Sequence, residues 1–397
     1  MKILFTGPLE DMSGFATASR NFLHSISLSD KFDVAARSLK YDALDPGQKF
    51  IRPEWLHNLL SKDTDNVDCL IQMTTCNVEA VTKPGILNGL YTFFEVSVLP
   101  PTWVEKAKQF DFIIVPCKAN ALALHNSGVT EVPILVVPPP CDKDFYNVDN
   151  IKPFEIKNSE NRTIFYNICQ LSSKKGIDAL LRAYYAAFYN NPDEVLLVLK
   201  TYVNMSDRKN DLDIIKKFIE RIKTGCNIPT KLPPVLPIVD ILSETEIAGL
   251  HLASDAYVCS SRAEGWGIPP FDALCFGKTL ISNNFGGLEA FVTDENSLRY
   301  GGCVNNCFDS AHPEPWLYSG VGHWFEPSTA QMSYFMQYFH FAKKQGGEEW
   351  NKILAKREVG KKLSSIFDYR SVSSQICNQL LAAIESYKLC GKVKFEN

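Results

Sequence analysis

The chain has 397 residues, 45% hydrophobic and 22% charged, with a formal net charge of −4, seven His and 12 Cys. At the usual length per domain this is about two domains, each able to bury its own core, which excludes a disordered chain, a collagen-like repeat and a small disulfide scaffold. No apolar run approaches the roughly 18 residues of a membrane span. Met1 to Gly7 passes from a strand-like Lys-Ile-Leu-Phe straight into Gly7-Pro8, so no signal peptide is expected.

The cysteines are scattered and form no CxxC pair, which reads as buried thiols in a reducing compartment. A cytoplasmic location follows, host cytoplasm if the protein is viral, and the sequons at Asn161 and Asn204 go unused. Lys and Arg stand against Asp and Glu as 13 to 18 over residues 1–150, 14 to 9 over 151–231, and 14 to 18 beyond. Arg208, Lys209, Lys216, Lys217, Arg221 and Lys223 crowd the basic stretch. It reads either as the solvated face of an amphipathic helix or as a surface for a phosphate-rich partner.

Short apolar runs alternate with helical periods, as in an α/β fold with parallel sheets. Lys2 to Thr6 is the first expected strand, followed by a loop through Ser13 and Gly14 and a helix carrying Phe15, Ser19, Phe22, Leu23 and Ile26. Cys69 to Met73, Gly89 to Phe94, Phe112 to Val115 and Ile134 to Val137 are further strands. After Pro138-Pro139-Pro140 the stretch from Lys143 to Asn161 is polar and aperiodic, the best linker candidate. The pattern then restarts. Thr163 to Cys169 is a strand, Ile177, Leu180, Leu181, Tyr184 and Phe188 mark one helix face, and Val195 to Lys200 is a buried-type strand. Ser243 and Glu246 form a capping box, and strands at Ala256 to Ser260 and Thr279 to Ser282 close the set. No internal repeat is visible. Two such halves imply a cleft between them, with ligands at the carboxyl ends of the strands.

The densest constellation is Ser260 to Leu274. It leaves a strand, turns through Gly265 and Gly267, and enters a helix with Pro269 or Pro270 in its first turn and Gly277 at its end. The backbone amides at that helix start suit a phosphate, with Glu264 before the helix and Asp272 in its first turns. Taken alone, these features also fit a tight turn followed by a helix whose dipole Asp272 stabilises.

The stretch EGWGIPPFDALCFGKTLI, residues 264–281, resembles the E(x7)E signature of retaining GT-B glycosyltransferases of family four, the group 1 glycosyl transferases, whose usual form is EGFGLPxxEAxAxGxPV. Trp266 stands for the usual Phe and Asp272 for the second Glu, and Asn283 to Glu289 is similar to the family's following glycine-rich turn. Leu171-Ser172-Ser173-Lys174-Lys175-Gly176 resembles the GRLxxxKG loop, with Gln170 where an Arg is usual. Ser13-Gly14-Phe15-Ala16 resembles the SGYG-like loop. Tyr91-Thr92-Phe93-Phe94-Glu95 with Pro100, Trp103 and Val115-Pro116-Cys117, and also Trp324-Phe325-Glu326-Pro327, resemble a subgroup with YTMFE and W.EP segments.

The resemblance implies a GT-B fold: two Rossmann-like domains facing each other across a cleft, an acceptor-side domain at 1–150, a donor domain at 151–373, and a C-terminal helix at 374–397 returning to the first. It implies retaining transfer of a sugar from a nucleoside-diphosphate sugar to an acceptor hydroxyl, with no cofactor and no metal, because amides and cations neutralise the leaving diphosphate. Lys175 is then the diphosphate ligand, Glu264 contacts donor-sugar hydroxyls, Asp272 holds the ribose, and the Gly265, Trp266, Gly267 and Ile268 amides meet the distal phosphate or sugar. Gly14 lies beside the diphosphate and sugar, with Phe15 next to it on the sugar or acceptor side. With Gln170 in place of Arg, Lys200 or Arg262 supplies the second cation or serves as an ion-pair residue. His24, His57 and His125 lack the context of the family's sugar-contacting His. The corresponding loop carries Glu95 instead, read as a sugar contact or a structural hydrogen-bond partner. Cys303, Cys307, His312 and His323 have loosely zinc-like spacing that matches no standard finger.

The expected acceptor is a saccharide, lipid-linked sugar or small molecule. Two other readings stay open: glycosylation of modified bases in DNA, which the acidic N-terminal third opposes, and non-catalytic sugar-nucleotide binding.

Overall fold

A computed structural model describes residues 1–39, 50–76, 80–203, 208–229, 231–309 and 318–389. The chain divides into two compact units. The first comprises Met1–Lys143, Asn306–His323 and Ser365–Asn397; the second comprises Asp144–Asn305 and Trp324–Ser364.

In the first unit, β1 (Lys2–Gly7), β2 (Asp33–Ser38), β3 (Cys69–Met73), β4 (Leu87–Tyr91), β5 (Phe112–Val115) and β6 (Ile134–Val136) form one sheet in the order β2-β1-β3-β4-β5-β6. Every pairing is parallel. The chain leaves β1 toward β2 and then crosses to β3 on β1's other side, so the sheet switches direction beside β1. The loop carrying Ser13 and Gly14 follows this strand, at the place where open α/β sheets take ligands.

Helices α1 (Gly14–Ser27), α2 (Glu54–Ser61), α3 (Pro101–Ala107) and α4 (Lys118–Asn126) make the crossovers. Ser13 caps α1 by accepting from the Ala16 amide, and buried Phe22 and Leu23 bring the helix onto the sheet. Two differences from the sequence expectation have a local cause. The fourth strand starts at Leu87 and ends at Tyr91 instead of running from Gly89 to Phe94, although the Thr92 amide still reaches the Ile114 carbonyl. Strand β2 was missed because Asp33-Val-Ala-Ala-Arg-Ser lacks the bulky β-branched run that marks a strand.

The second unit repeats the design with β7 (Thr163–Gln170), β8 (Val195–Tyr202), β9 (Val235–Ile238), β10 (Ala256–Val258), β11 (Thr279–Ser282) and β12 (Ser297–Arg299), ordered β12-β11-β10-β7-β8-β9. All pairings are again parallel. Its helices are α5 (Ile177–Phe188), α6 (Arg208–Gly225), α7 (Glu244–Ala253), α8 (Ile268–Cys275), α9 (Thr329–Gln345) and α10 (Gly347–Lys361). The core gathers Phe165, Tyr184, Phe188, Met332, Met336 and Phe339 between sheet, α5 and α9. Both halves of the Ser243/Glu246 capping box are formed at α7.

Strands β13 (Gly302–Phe308) and β14 (Ser319–Pro327) pair as a separate ribbon. A short α11 (Leu363–Ile366) leads into α12 (Tyr369–Leu389). That last helix packs on α1, where Ser25 Oγ donates to the Tyr369 carbonyl at 3.0 Å and Ser373 Oγ donates to the Ser25 carbonyl at 2.6 Å.

Lys143–Tyr146 and Val148–Asn150, inside the expected linker, form two single 3-10 turns. Among the described residues no helix is long and apolar enough to cross a membrane. On α6, Lys216, Lys217, Arg221 and Lys223 are exposed but interleaved with Asp213 and Glu220, and Lys223 pairs with Glu220 at 3.2 Å. The side chains of Arg208 and Lys209, like the sequon at Asn204, lie outside the described residues.

Candidate nucleotide-sugar site

In the second unit the strand order reverses between β7 and β10, so the loops that leave these two strands flank the switch point. The loop after β7 holds Lys175 in a 3-10 turn and ends at Gly176, whose φ of 59° is left-handed. The loop after β10 holds Glu264. Lys175 Nζ donates to Glu264 Oε1 at 2.7 Å, and the Ser261 hydroxyl donates to the same oxygen at 2.6 Å. Both members of the pair are mostly buried, with side chains 16% and 11% exposed. The two residues assigned separately from their motifs therefore form one charged unit at the carboxyl edge of the sheet.

Backbone contacts sew the loops together. Ser260 Oγ donates to the Lys175 carbonyl at 2.8 Å, the Arg262 amide to the Lys174 carbonyl at 2.7 Å, and the Gly287 amide to the Glu264 carbonyl at 2.8 Å. Asn283 holds the next turn by donating from Nδ2 to the Ser261 carbonyl and accepting from the Phe285 amide. Two glycines are sterically required. A Cβ on Gly176 would overlap the Ser260 carbonyl, and one on Gly287 would overlap the Gly265 carbonyl and Trp266 Cα.

Helix α8 begins after Gly267, at φ 96°, and places Pro269 and Pro270 in its first turn. Neither proline has an amide hydrogen, so two of the usual free donors of a helix start are missing. Anion-binding capacity at this point is thereby shifted from the helix turn to the preceding Gly265–Ile268 segment. This was legible in the sequence, and it narrows the expectation that the helix start itself presents the amides. The helix closes with a Schellman motif: the Lys278 amide reaches the Ala273 carbonyl and the Gly277 amide the Leu274 carbonyl, with Gly277 at φ 67°. The Trp266 side chain is buried against Phe271 and Phe291, with ring centroids 5.9 and 5.1 Å away, and it anchors the loop in the core.

Arg262 is an ion-pair residue, and a buried one. Its Nε and Nη2 donate to the Glu326 carboxylate at 2.6 and 2.9 Å, Nη1 and Nη2 to Asp178 at 2.9 and 3.0 Å, and Nη1 also to the Ser173 carbonyl at 2.6 Å. All five guanidinium donors are engaged by protein acceptors. Desolvation opposes ionisation of Asp178, but the Arg262 hydrogen bonds and charge hold its carboxyl below the ordinary range. Arg262 thus ties the Lys175 loop, the start of α5 and the Trp324-to-Pro327 segment to one point, and the Phe325 amide also donates to its carbonyl. Lys200 sits near the carboxyl end of β8, 8% exposed, its ammonium 5.9 Å from the Tyr202 ring. Gln170 is exposed, with Nε2 donating to the Val203 carbonyl at 3.3 Å.

Asp272 Oδ1 accepts a hydrogen bond from the Tyr146 hydroxyl at 2.7 Å. Burial pushes its pKa up to about 7; the Tyr146 bond opposes the rise and the charge of Glu244 adds to it. Sequence reasoning missed Tyr146, since it lies in the aperiodic linker, 126 positions from its partner.

In the first unit, Gly14 is exposed at the start of α1, and Phe15 meets Phe93 edge-on at 5.5 Å. Glu95 accepts from the Tyr318 hydroxyl at 3.0 Å. His24 is sandwiched between Trp55 and Tyr369, and burial lowers its pKa, while His57 and His125 are exposed. Among the described residues no group of three or more His, Cys, Asp or Glu is placed to hold a metal. Cys303 is exposed and Cys307 buried, His323 Nδ1 lies 3.1 Å from Ser97 Oγ, and His312 falls outside the described residues.

Residues 238–306 match the family model of glycosyl transferases group 1. No curated protein sequence matches the chain. Among solved structures it is similar to HepE of Anabaena in complex with UDP and glucose, at 14% identity and TM-score 0.62 over 96% of this chain and 100% of that one. It is also similar to sucrose-phosphate synthase of Thermosynechococcus elongatus, at 14% identity and TM-score 0.62 over 96% and 99%. The trehalose-6-phosphate synthase OtsA aligns at 10% identity and TM-score 0.64 over 96% and 99%. The chain has the GT-B fold, with two parallel-sheet Rossmann-like domains.

Proposed function

We propose that this protein is a retaining glycosyltransferase that moves a sugar from a nucleoside-diphosphate sugar to an acceptor hydroxyl without a metal ion, the acceptor being a saccharide or small molecule. The observation that carries the reading is the Lys175–Glu264 pair at the strand switch point, beside the Gly265–Ile268 segment. Lys175 meets the leaving diphosphate as a point charge, and the neighbouring amides share the charge that develops there. Once the diphosphate draws Lys175 away, Glu264 is released to accept from donor-sugar hydroxyls. Asp272 binds the ribose, and the leaving phosphate oxygen takes the acceptor proton on the same face, so no protein nucleophile is needed. The similarity to HepE, solved with UDP and glucose and with UDP-glucose, supports a uridine donor as the first to test.

A thermal-shift panel with UDP, GDP, ADP and their sugars, followed by mass spectrometry for transferred or hydrolysed sugar, tests the reading. At least one nucleotide raises Tm and its sugar is consumed; Lys175→Ala and Glu264→Ala each lower turnover at least about tenfold, some 1.4 kcal/mol in the barrier. If no nucleotide stabilises the fold and no donor is consumed, the reading fails. Full activity in both variants overturns the site assignment.

A further inference from the structure

Phe145 and Tyr146 form a half-buried aromatic clasp on α8. Their ring centroids lie 5.4 and 5.0 Å from that of Phe276, and Phe276 stacks in turn on buried His251 at 5.0 Å. The His251 Nδ1 is 2.7 Å from the Tyr166 hydroxyl. A phenylalanine would fill the seat of the Tyr146 ring, because what it packs against is apolar. The hydroxyl has a different duty: it reaches Asp272 Oδ1 at 2.7 Å, leaving Oδ2 as the oxygen for a further donor.

We propose that Tyr146 is a positioning residue of the donor site, whose hydroxyl orients the Asp272 carboxylate and keeps it able to accept from a ribose hydroxyl of the nucleotide. This rests on the donor-site reading above. An Asp is one methylene shorter than the Glu usual at this place in the E(x7)E signature, so it reaches less far and its orientation matters more. A hydrogen bond donated to one carboxylate oxygen fixes that orientation and favours the ionised form that accepts from hydroxyls.

The group also titrates where it can be watched. Burial places the Asp272 pKa at about 7, and Tyr146 lowers it from where burial alone would leave it. Of the other titratable groups around α8, Lys278, which follows the helix, has its pKa lowered to about 8 by burial, on the alkaline side of Asp272 and clear of the acid limb. His251 is held neutral by burial, its pKa lowered to about 3, and Tyr166 stays protonated far above pH 7. Glu244 on α7, together with Arg357 and Lys361 on α10, completes the charged groups that surround α8. Nucleotide binding therefore needs the ionised Asp272 and weakens as pH falls through its pKa. Removing the Tyr146 hydroxyl raises that pKa and moves the weakening to higher pH.

The test is calorimetric binding of UDP-glucose, or of GDP- or ADP-glucose should the panel select that base, between pH 5.5 and 8.5. These diphosphate diesters do not titrate in that range. Wild-type affinity falls toward about tenfold per pH unit on the acid side. Tyr146→Phe shifts this limb upward by half a pH unit or more and binds more weakly than wild type even at pH 8.5, with a similar Tm there. Asp272→Asn removes the limb. A Tyr146→Phe limb superimposable on wild type overturns the inference, including when the variant is merely less stable, and leaves the donor site standing. Failure of every nucleotide to bind the wild-type chain overturns the donor site itself.

Discussion

Replacing Arg262 with Met keeps an apolar stem of similar length and deletes the guanidinium, whose carbon lies 5.8 Å from the Trp324 ring centroid. The loss leaves the Asp178 and Glu326 carboxylates and the Ser173 carbonyl without their shared donor. Removing one member of a fully buried ion pair costs about 3–5 kcal/mol. The Arg262 side chain is 10% exposed, but its partners are 34% and 35% exposed, so water partly re-solvates the orphaned carboxylates. A cost of about 3 kcal/mol follows once that screening is allowed for. In a unit of this size it lowers Tm by about 6–12 °C.

Scanning calorimetry at pH 7 reads the change, and urea titration gives it as free energy. The penalty has a pH signature. Asp178 has its carboxyl depressed in the folded state, so its stabilisation is present above the unfolded pKa and lost as pH falls through the depressed one. The gap between wild type and Arg262→Met therefore narrows in acid. Nucleotide affinity falls too, because the Lys175 loop loses its tether. A variant that melts within about 1 °C of wild type at pH 7 and yet loses nucleotide affinity would show Arg262 acting as a phosphate ligand and refute the reasoning.

Gly287→Ala pushes a methyl into the Gly265 carbonyl and Trp266 backbone, where no flexible side chain can yield. We expect about 1–3 kcal/mol of lost stability by urea titration and at least a tenfold loss of nucleotide affinity, and unchanged values for both would disprove the close approach. His251 is neutral in the fold, with its pKa lowered to about 3 by burial, whereas it protonates near 6.5 when unfolded. Its stabilisation is complete above 6.5 and lost as pH falls toward 3, at up to about 1.4 kcal/mol per pH unit. His251→Phe flattens the stability profile between pH 6 and 4, and an unaltered slope rules the histidine out as its source.

Much of the site was legible because its pieces are local. A glycine that turns a strand into a helix, a cation at the end of a loop and a carboxylate at the next loop are each read within a few residues. The Ser243/Glu246 box and the Gly277 stop are of the same kind: each is a short-range hydrogen-bond pattern that needs no partner from elsewhere. Strand β2 was missed because it carries little β-branched or aromatic signal, and β9 because Pro237 interrupts its apolar run; both owe their place to sheet neighbours. Helices α9 and α10 were missed because neither shows a clear apolar period: α9 carries aromatic residues on its exposed face too, Tyr334 and Phe341 among them, and α10 is mostly polar.

By itself the sequence determined the α/β alternation, the polar break after residue 143 and the local turn chemistry of the candidate site, because periodicity and turn chemistry act over one to a few turns of chain. Only the tertiary structure decided how the charges are used. Lys175 and Glu264 are joined in one pair across 89 positions, and Arg262 donates to five protein acceptor atoms. Asp272 accepts from the hydroxyl of a tyrosine in the linker. Pairing and desolvation depend on which groups the fold brings within about 3 Å and on how much water it leaves beside them, and neither is a property of any short stretch of sequence.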